Sequence, residues 1–203
     1  MDESGGRRAR RIGSPRPMLN DASQQSVQAA LKAEADGCPG DARLEALKAM
    51  LMACFTIEAM LNFYGQHAAQ KRGDGWGSVW AGIERLPAKE KCLAVAALSE
   101  TDGRPDLGAE PFQPMHEMFQ FRQRVAHGKP IKKECALPEG VKGAAVLSLP
   151  ELQEEWEKAC TPANAERFQR AAYEMTLWFA EHTPNRPFEH VSAGPVGRPL
   201  IGE

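Results

Sequence analysis

One long apolar stripe constrains this chain more than any other feature. Large apolar residues recur at Leu44, Leu47, Leu51 and Phe55, and again at Leu61. Steps of three and four place such residues on one face of an α-helix. The spacing predicts a helix over about residues 42–69, with Asp41 as its N-cap. The Gly73-Asp74-Gly75-Trp76-Gly77 stretch follows as a loop.

The flanking segments read as further helices. Residues 21–35 suit a short one, capped by Ser23 or Asp21, with Val27 and Leu31 at i, i+4 and Gly37-Cys38-Pro39-Gly40 as its stop. Residues 80–98 read as one or two helices, interrupted near Leu86-Pro87. Gly103, Pro105 and Gly108 mark residues 101–111 as a connection. A helix then runs from Phe112 or Pro114 to His127, where Gly128 and Pro130 stop it. Residues 131–147 are irregular and suit a small β-hairpin arm around Glu139-Gly140. Pro150 with Glu151, Glu154 and Glu155 suits a helix start, and helical pattern continues to about His182 with a break at Thr161-Pro162. The predicted fold class is all-α, an antiparallel bundle of four to five helices over residues 21–182. Residues 1–20 read as an Arg-rich flexible tail, and residues 183–203 as a Pro/Gly-rich one.

Composition narrows the function classes. The chain has 203 residues, which suits one domain plus tails. Hydrophobic residues make up 42%, enough to build a core and to argue against wholesale disorder. The net charge of −2 excludes capture of nucleic acid by a whole-molecule field, so RNA binding would need a local patch. No apolar run reaches the roughly 18–20 residues of a membrane span. The arginines of residues 1–17 precede no apolar block, which argues against a secretory signal, and Asp2 and Glu3 argue against a transit peptide. Five scattered cysteines (Cys38, Cys54, Cys92, Cys135, Cys160) form neither a disulfide framework nor a zinc set, and read as reduced thiols of a cytoplasmic protein.

Two helices carry polar residues where the stripe should be apolar. Glu58 follows Phe55 by three residues and Leu51 by seven, and Asn62 lies one turn further. On the second helix Met115, Phe119 and Arg122 are spaced by four and three, so Arg122 shares their face. Buried charges need partners, and guanidinium and carboxylate pair through parallel hydrogen bonds, which makes Arg122 the natural partner of Glu58. The alternative is a slightly rotated stripe that leaves Glu58 at its edge in water. His127 comes five residues after Arg122, about 140° around an ideal helix. A histidine can take a proton from a ribose 2′-hydroxyl, and an arginine can stabilise the charge that builds on phosphate, so the pair suits RNA cleavage without metal. A symmetric dimer would double this set.

The segment Phe121-Arg122-Gln123-Arg124-Val125-Ala126-His127-Gly128-Lys129 resembles the signature helix of HEPN domains, in which Arg, four to six residues and His are often followed by Gly. Phe55-Thr56-Ile57-Glu58-Ala59-Met60-Leu61-Asn62 resembles the long helix of that family, where a polar residue faces the motif. The order of elements, with Leu86-Pro87-Ala88-Lys89-Glu90-Lys91 between the two, is also similar. The resemblance covers roughly residues 41–182. It implies a bundle that dimerises through the motif helices. It also implies a metal-independent endoribonuclease leaving a 2′,3′-cyclic phosphate, of the kind found as toxins, in antiviral defence and in RNA processing. By the resemblance Arg122 and His127 are catalytic, Glu58, Asn62 and Gln123 support them, and Arg124 and Lys129 bind RNA. No metal and no cofactor is implied. Active members carry Asn, Asp or His directly after the arginine, where this chain has Gln123.

Two other readings stand beside the nuclease. In one, Arg122 and Glu58 are a structural pair, His127 caps a helix C-terminus, and the domain is a non-catalytic interaction module. In the other, the chain is the regulatory half of a two-gene system, bound to a protein partner such as a toxin or antitoxin. His116 lies about 16 Å from His127 along the same helix face, too far to share a metal, and reads as a surface or interface histidine. Trp76, Trp80, Trp156 and Trp178 read as core or interface anchors.

Overall fold

In the computed structural model, which describes residues 16–127 and 153–184, the long stripe belongs to a single helix of 34 residues. In chain order the helices are α1 (Arg16–Ala35), α2 (Pro39–Arg72), α3 (Trp76–Ile83), α4 (Ala88–Leu98), α5 (Met115–His127), α6 (Glu155–Ala159) and α7 (Pro162–His182). Among the described residues there is no strand. The fold is all-α: five helices of eleven residues or more form the bundle, and α3 and α6 are short connectors. No described helix is long and apolar enough to cross a membrane. The hairpin arm expected at residues 131–147, Lys129 and residues 185–203 lie outside the described residues.

At about 1.5 Å per residue α2 is roughly 50 Å long, and it is the spine of the molecule. The turn at Asp36–Cys38, with Gly37 at φ +72°, folds α1 back antiparallel to it. α7 runs along α2 in the same direction: Thr176 meets Met60 (Oγ1 to Sδ, 3.7 Å), and Tyr64 packs on Phe179 with ring centroids 5.3 Å apart. α5 also follows α2, with the Cys54 thiol donating to the Met118 carbonyl (3.3 Å) and Arg122 reaching Glu58 one turn later.

Helix ends obey local chemistry. Thr161 caps α7, its hydroxyl accepting from the Asn164 amide (3.2 Å), and Pro162 takes the first turn, so the break expected at Thr161-Pro162 is a helix start. α6 carries a capping box in which the Glu154 amide donates to the Glu157 carboxylate (2.6 Å). Leu86-Pro87 separates α3 from α4 as expected. Several boundaries differ: α3 starts at Trp76, inside the stretch expected as a loop, and α2 runs on to Arg72 rather than about residue 69. α2 starts at Pro39 rather than after an Asp41 cap, because proline fits a first turn and Asp41 then lies within it. α1 is already helical at Arg16 rather than from Asp21, so residues 16–20 leave the expected tail. The Arg16 guanidinium is half-buried and lies close enough to Tyr64 of α2 to interact with it, a tie that no local pattern announces.

The face that α2 buries is not the leucine stripe. Leu44 is 50% exposed, and Leu47, Leu51 and Phe55 are only partly buried. The buried set is Ala46, Ala49, Met50, Ala53, Cys54, Ile57, Met60, Leu61 and Tyr64. Alanines let two helices approach closely, and at that seam the Ser23 hydroxyl of α1 donates to the Ala49 carbonyl (2.9 Å). The rotation carries Glu58 to the edge of the core, which corrects the expectation that its carboxylate points inward: its side chain is 32% exposed. Small size is used again at Gly65, where a Cβ would overlap the Trp80 ring of α3.

Candidate functional site

The second half of α2, the first turn of α4 and the outer face of α5 enclose an open groove of about 540 Å³. Its chemistry follows from how each helix is seated. α5 buries Met115, Met118 and Phe121. That turns Phe119, Arg122 and Ala126 toward the groove, with His116, Gln123 and His127 on its outer wall. α4 buries Cys92, Val95 and Leu98, and its first turn, with Pro87, Ala88 and Lys89, forms the opposite wall. Glu58 and Leu61 of α2 lie between them.

Arg122 and Glu58 are paired as the sequence predicts, Nη2 to Oε2 at 3.3 Å. The pair is not sealed. The arginine side chain keeps 38% of its surface exposed, and its guanidinium lies over the Phe55 ring, 5.6 Å from the centroid. At such exposure the ion pair contributes little to stability, about 0–1 kcal/mol. His127 is exposed on the last turn of α5 and lines the same groove, despite the angle of about 140° that separates it from Arg122 on the helix. Gln123 is exposed on the groove wall between them. Arg124 is exposed but is not part of that wall.

Lys91 is the residue that sequence reasoning missed as a site group. It is 6% exposed, and its ammonium donates to Asn62 Oδ1 (3.2 Å), which explains why an amide sits on this face of α2. Burial lowers the Lys91 pKa from its ordinary value, the Glu58 and Glu84 carboxylates oppose that shift, and the Arg122 charge adds to it. A signal was present: Lys91, Val95 and Leu98 follow the four- and three-residue steps of the buried face of α4, so the lysine occupies a core position in the pattern.

His116 is likewise on the groove wall, its Nε2 2.7 Å from the Gln120 amide nitrogen, three turns from His127 and accessible as expected of a surface histidine. Cys54 lies behind Arg122, but burial pushes its thiol up to about 12, so it is no nucleophile at neutral pH. Trp80 is buried, whereas Trp76, Trp156 and Trp178 are partly buried against the core, the anchoring expected of them. Among the described residues no three His, Cys, Asp or Glu side chains gather as a metal-binding set.

The groove therefore offers a partly exposed arginine, an accessible histidine and a buried ammonium on one surface, together with the Glu58, Glu84 and Glu90 carboxylates. That set can hold an anionic group and move a proton beside it. No family model matches this chain, and no curated protein and no solved structure matches it either.

Proposed function

We propose that this groove is a HEPN-like RNA-cleaving site. The observation that carries the reading is the presence of Arg122 and His127 on one open groove, with Glu58 steadying the arginine from the neighbouring helix. In this reading His127 accepts the proton of a ribose 2′-hydroxyl, and the 2′-oxygen attacks the adjacent phosphorus. The bond from phosphorus to the 5′-oxygen breaks, leaving a 2′,3′-cyclic phosphate and a 5′-hydroxyl. Arg122 stabilises the charge on the non-bridging oxygens as the bond order changes. The departing 5′-oxygen takes its proton from water or from His127 of a second copy across a two-fold axis. A single strand or a tRNA loop suits the groove, because an unpaired ribose can align its 2′-oxygen in line with the leaving group. The biological setting proposed is that of a cytoplasmic toxin or antiviral effector.

One observation favours a second reading. Arg122 is already engaged by Glu58, and His127 projects from a helix C-terminus, where a cation is favourable without any catalytic role. These are the features of a non-catalytic interaction module of the same fold, bound to a protein partner.

One experiment separates the two. Purified wild-type and His127→Ala protein are incubated with a mixed RNA pool in EDTA, and the product ends are identified. Cleavage by wild type alone, leaving cyclic phosphate ends, supports the nuclease. Absence of cleavage by either protein overturns it in favour of the module.

A further inference from the structure

Lys91 has no role in the reading above, yet its surroundings are unusual. Burying an ammonium is costly, and a buried lysine ordinarily meets a carboxylate. Here the hydrogen-bond partner is a neutral amide, Asn62 Oδ1 at 3.2 Å, and among the described residues no carboxylate lies within ion-pair distance of it. Asn62 occupies one donor, and an ammonium has three. The side chain lines the groove together with Arg122. Glu58 acts electrostatically on both cations, pairing with Arg122 while favouring the charged form of Lys91. Two cations thus flank Glu58, and Glu84 also favours the charged form of Lys91, but among the described residues the more deeply buried cation has no ion-paired anion of its own. Burial raises the strength of any charge-assisted bond made there, because water screens it less.

We propose that Lys91 is a phosphate anchor of the groove, its Asn62-held ammonium binding the non-bridging oxygens of a nucleic-acid backbone phosphate next to the one that Arg122 takes. The proposal rests on the reading of the groove as a nucleic-acid site, but not on cleavage. Asn62 is a positioning residue: it aims the ammonium and adds no charge that would compete with the ligand. A lysine suits this task as a compact charge, whereas the planar Arg122 suits a changing phosphate geometry.

The test uses the full chain and a labelled single-stranded 2′-deoxy oligonucleotide, which lacks the 2′-hydroxyl and so cannot be cut by this chemistry. Binding is followed by fluorescence anisotropy across a salt series for wild type and Lys91→Met. Loss of one phosphate contact should weaken binding about tenfold and reduce the slope of log affinity against log salt by about 0.7. Equal affinity and slope for the two proteins, or no binding by wild type, overturns the proposal. If Lys91→Met does not fold, the ε-carbon resonance of Lys91 in 13C-lysine wild type is followed instead as the oligonucleotide saturates the protein. Movement of that signal supports the anchor, and a stationary signal overturns it. An RNA version of the same strand keeps the two readings apart. Binding through Lys91 without cleavage sinks the nuclease and keeps the anchor, whereas RNA cleavage with binding indifferent to Lys91 does the reverse.

Discussion

α2 has two working faces that obey different rules. Toward α1 and α7 it presents Ala46, Ala49, Ala53, Met60 and Tyr64, all sealed from water, and the seam is held by shape. Toward α4 and α5 it presents Glu58 and Asn62, which meet Arg122 and Lys91 at an open groove. The first face is closed by close approach, with van der Waals contact and apolar burial as its main terms. The second keeps an ion pair, Arg122 with Glu58, that contributes little to folding at its exposure. A helix that carries such a set beside a well-packed core has a surface available for recognition, and the two faces should respond oppositely to substitution.

The largest contrast expected is at His127. His127→Ala should leave the thermal midpoint unchanged within a degree or two, since the side chain is exposed, yet lower RNA cleavage about 10²- to 10⁴-fold. A midpoint that falls with activity would erase the distinction between the faces. The core side is probed at Gly65→Ala, where the new methyl meets the Trp80 ring. Urea unfolding should show a loss of about 1–3 kcal/mol. A neutral result would mean that α3 is not held against α2 as described.

Lys91 tests where the groove and core meet. Its folded-state pKa lies below the unfolded value of 10.5. Below the folded pKa both states carry the proton, and the cost of burying the charge is fully present. Between the folded value and 10.5 the unfolded chain holds a proton that the folded chain lacks, so stability rises with pH in that window. Wild type should therefore gain stability relative to Lys91→Met as pH is raised from 7 toward 10.5, in unfolding titrations at three pH values. A difference that stays flat would place the ammonium in water rather than in the fold. The smallest effect concerns the thiols. Burial pushes Cys54 and Cys92 up to about 12, while Cys38 is exposed. Iodoacetamide at pH 8 should label Cys38 readily and leave the other two largely unmodified until denaturant is added.

Some of this was readable in the chain and some was not. Leu86-Pro87 and Thr161-Pro162 mark helix boundaries through the residues on either side of them, so they were legible. The pairing of Arg122 with Glu58 was legible too, because each falls on the apolar stripe of its own helix and opposite charges on facing stripes have few other solutions. Lys91 was not singled out, although it sits in the buried pattern of α4, because a lysine near a helix start also suits a solvated surface. The N-terminal extension of α1 depends on Arg16 reaching Tyr64, across more than forty residues of chain.

The sequence by itself determined that this chain is helical, where several of its helices begin or end, and that Arg122 and Glu58 face each other. Each of these depends on periodicity, caps and charges that act within a few residues. Tertiary structure alone decided how α2 is rotated. The leucine stripe and the alanine seam are both consistent with a helix, and only docking of α1 selects between them. By packing on the small residues, α1 turns Leu44 toward water, moves Glu58 to the groove edge and leaves Asn62 to meet Lys91. The physical reason is that a helix has no preferred face until a neighbour supplies one, and close packing favoured the narrow side of α2 over the side with the larger residues.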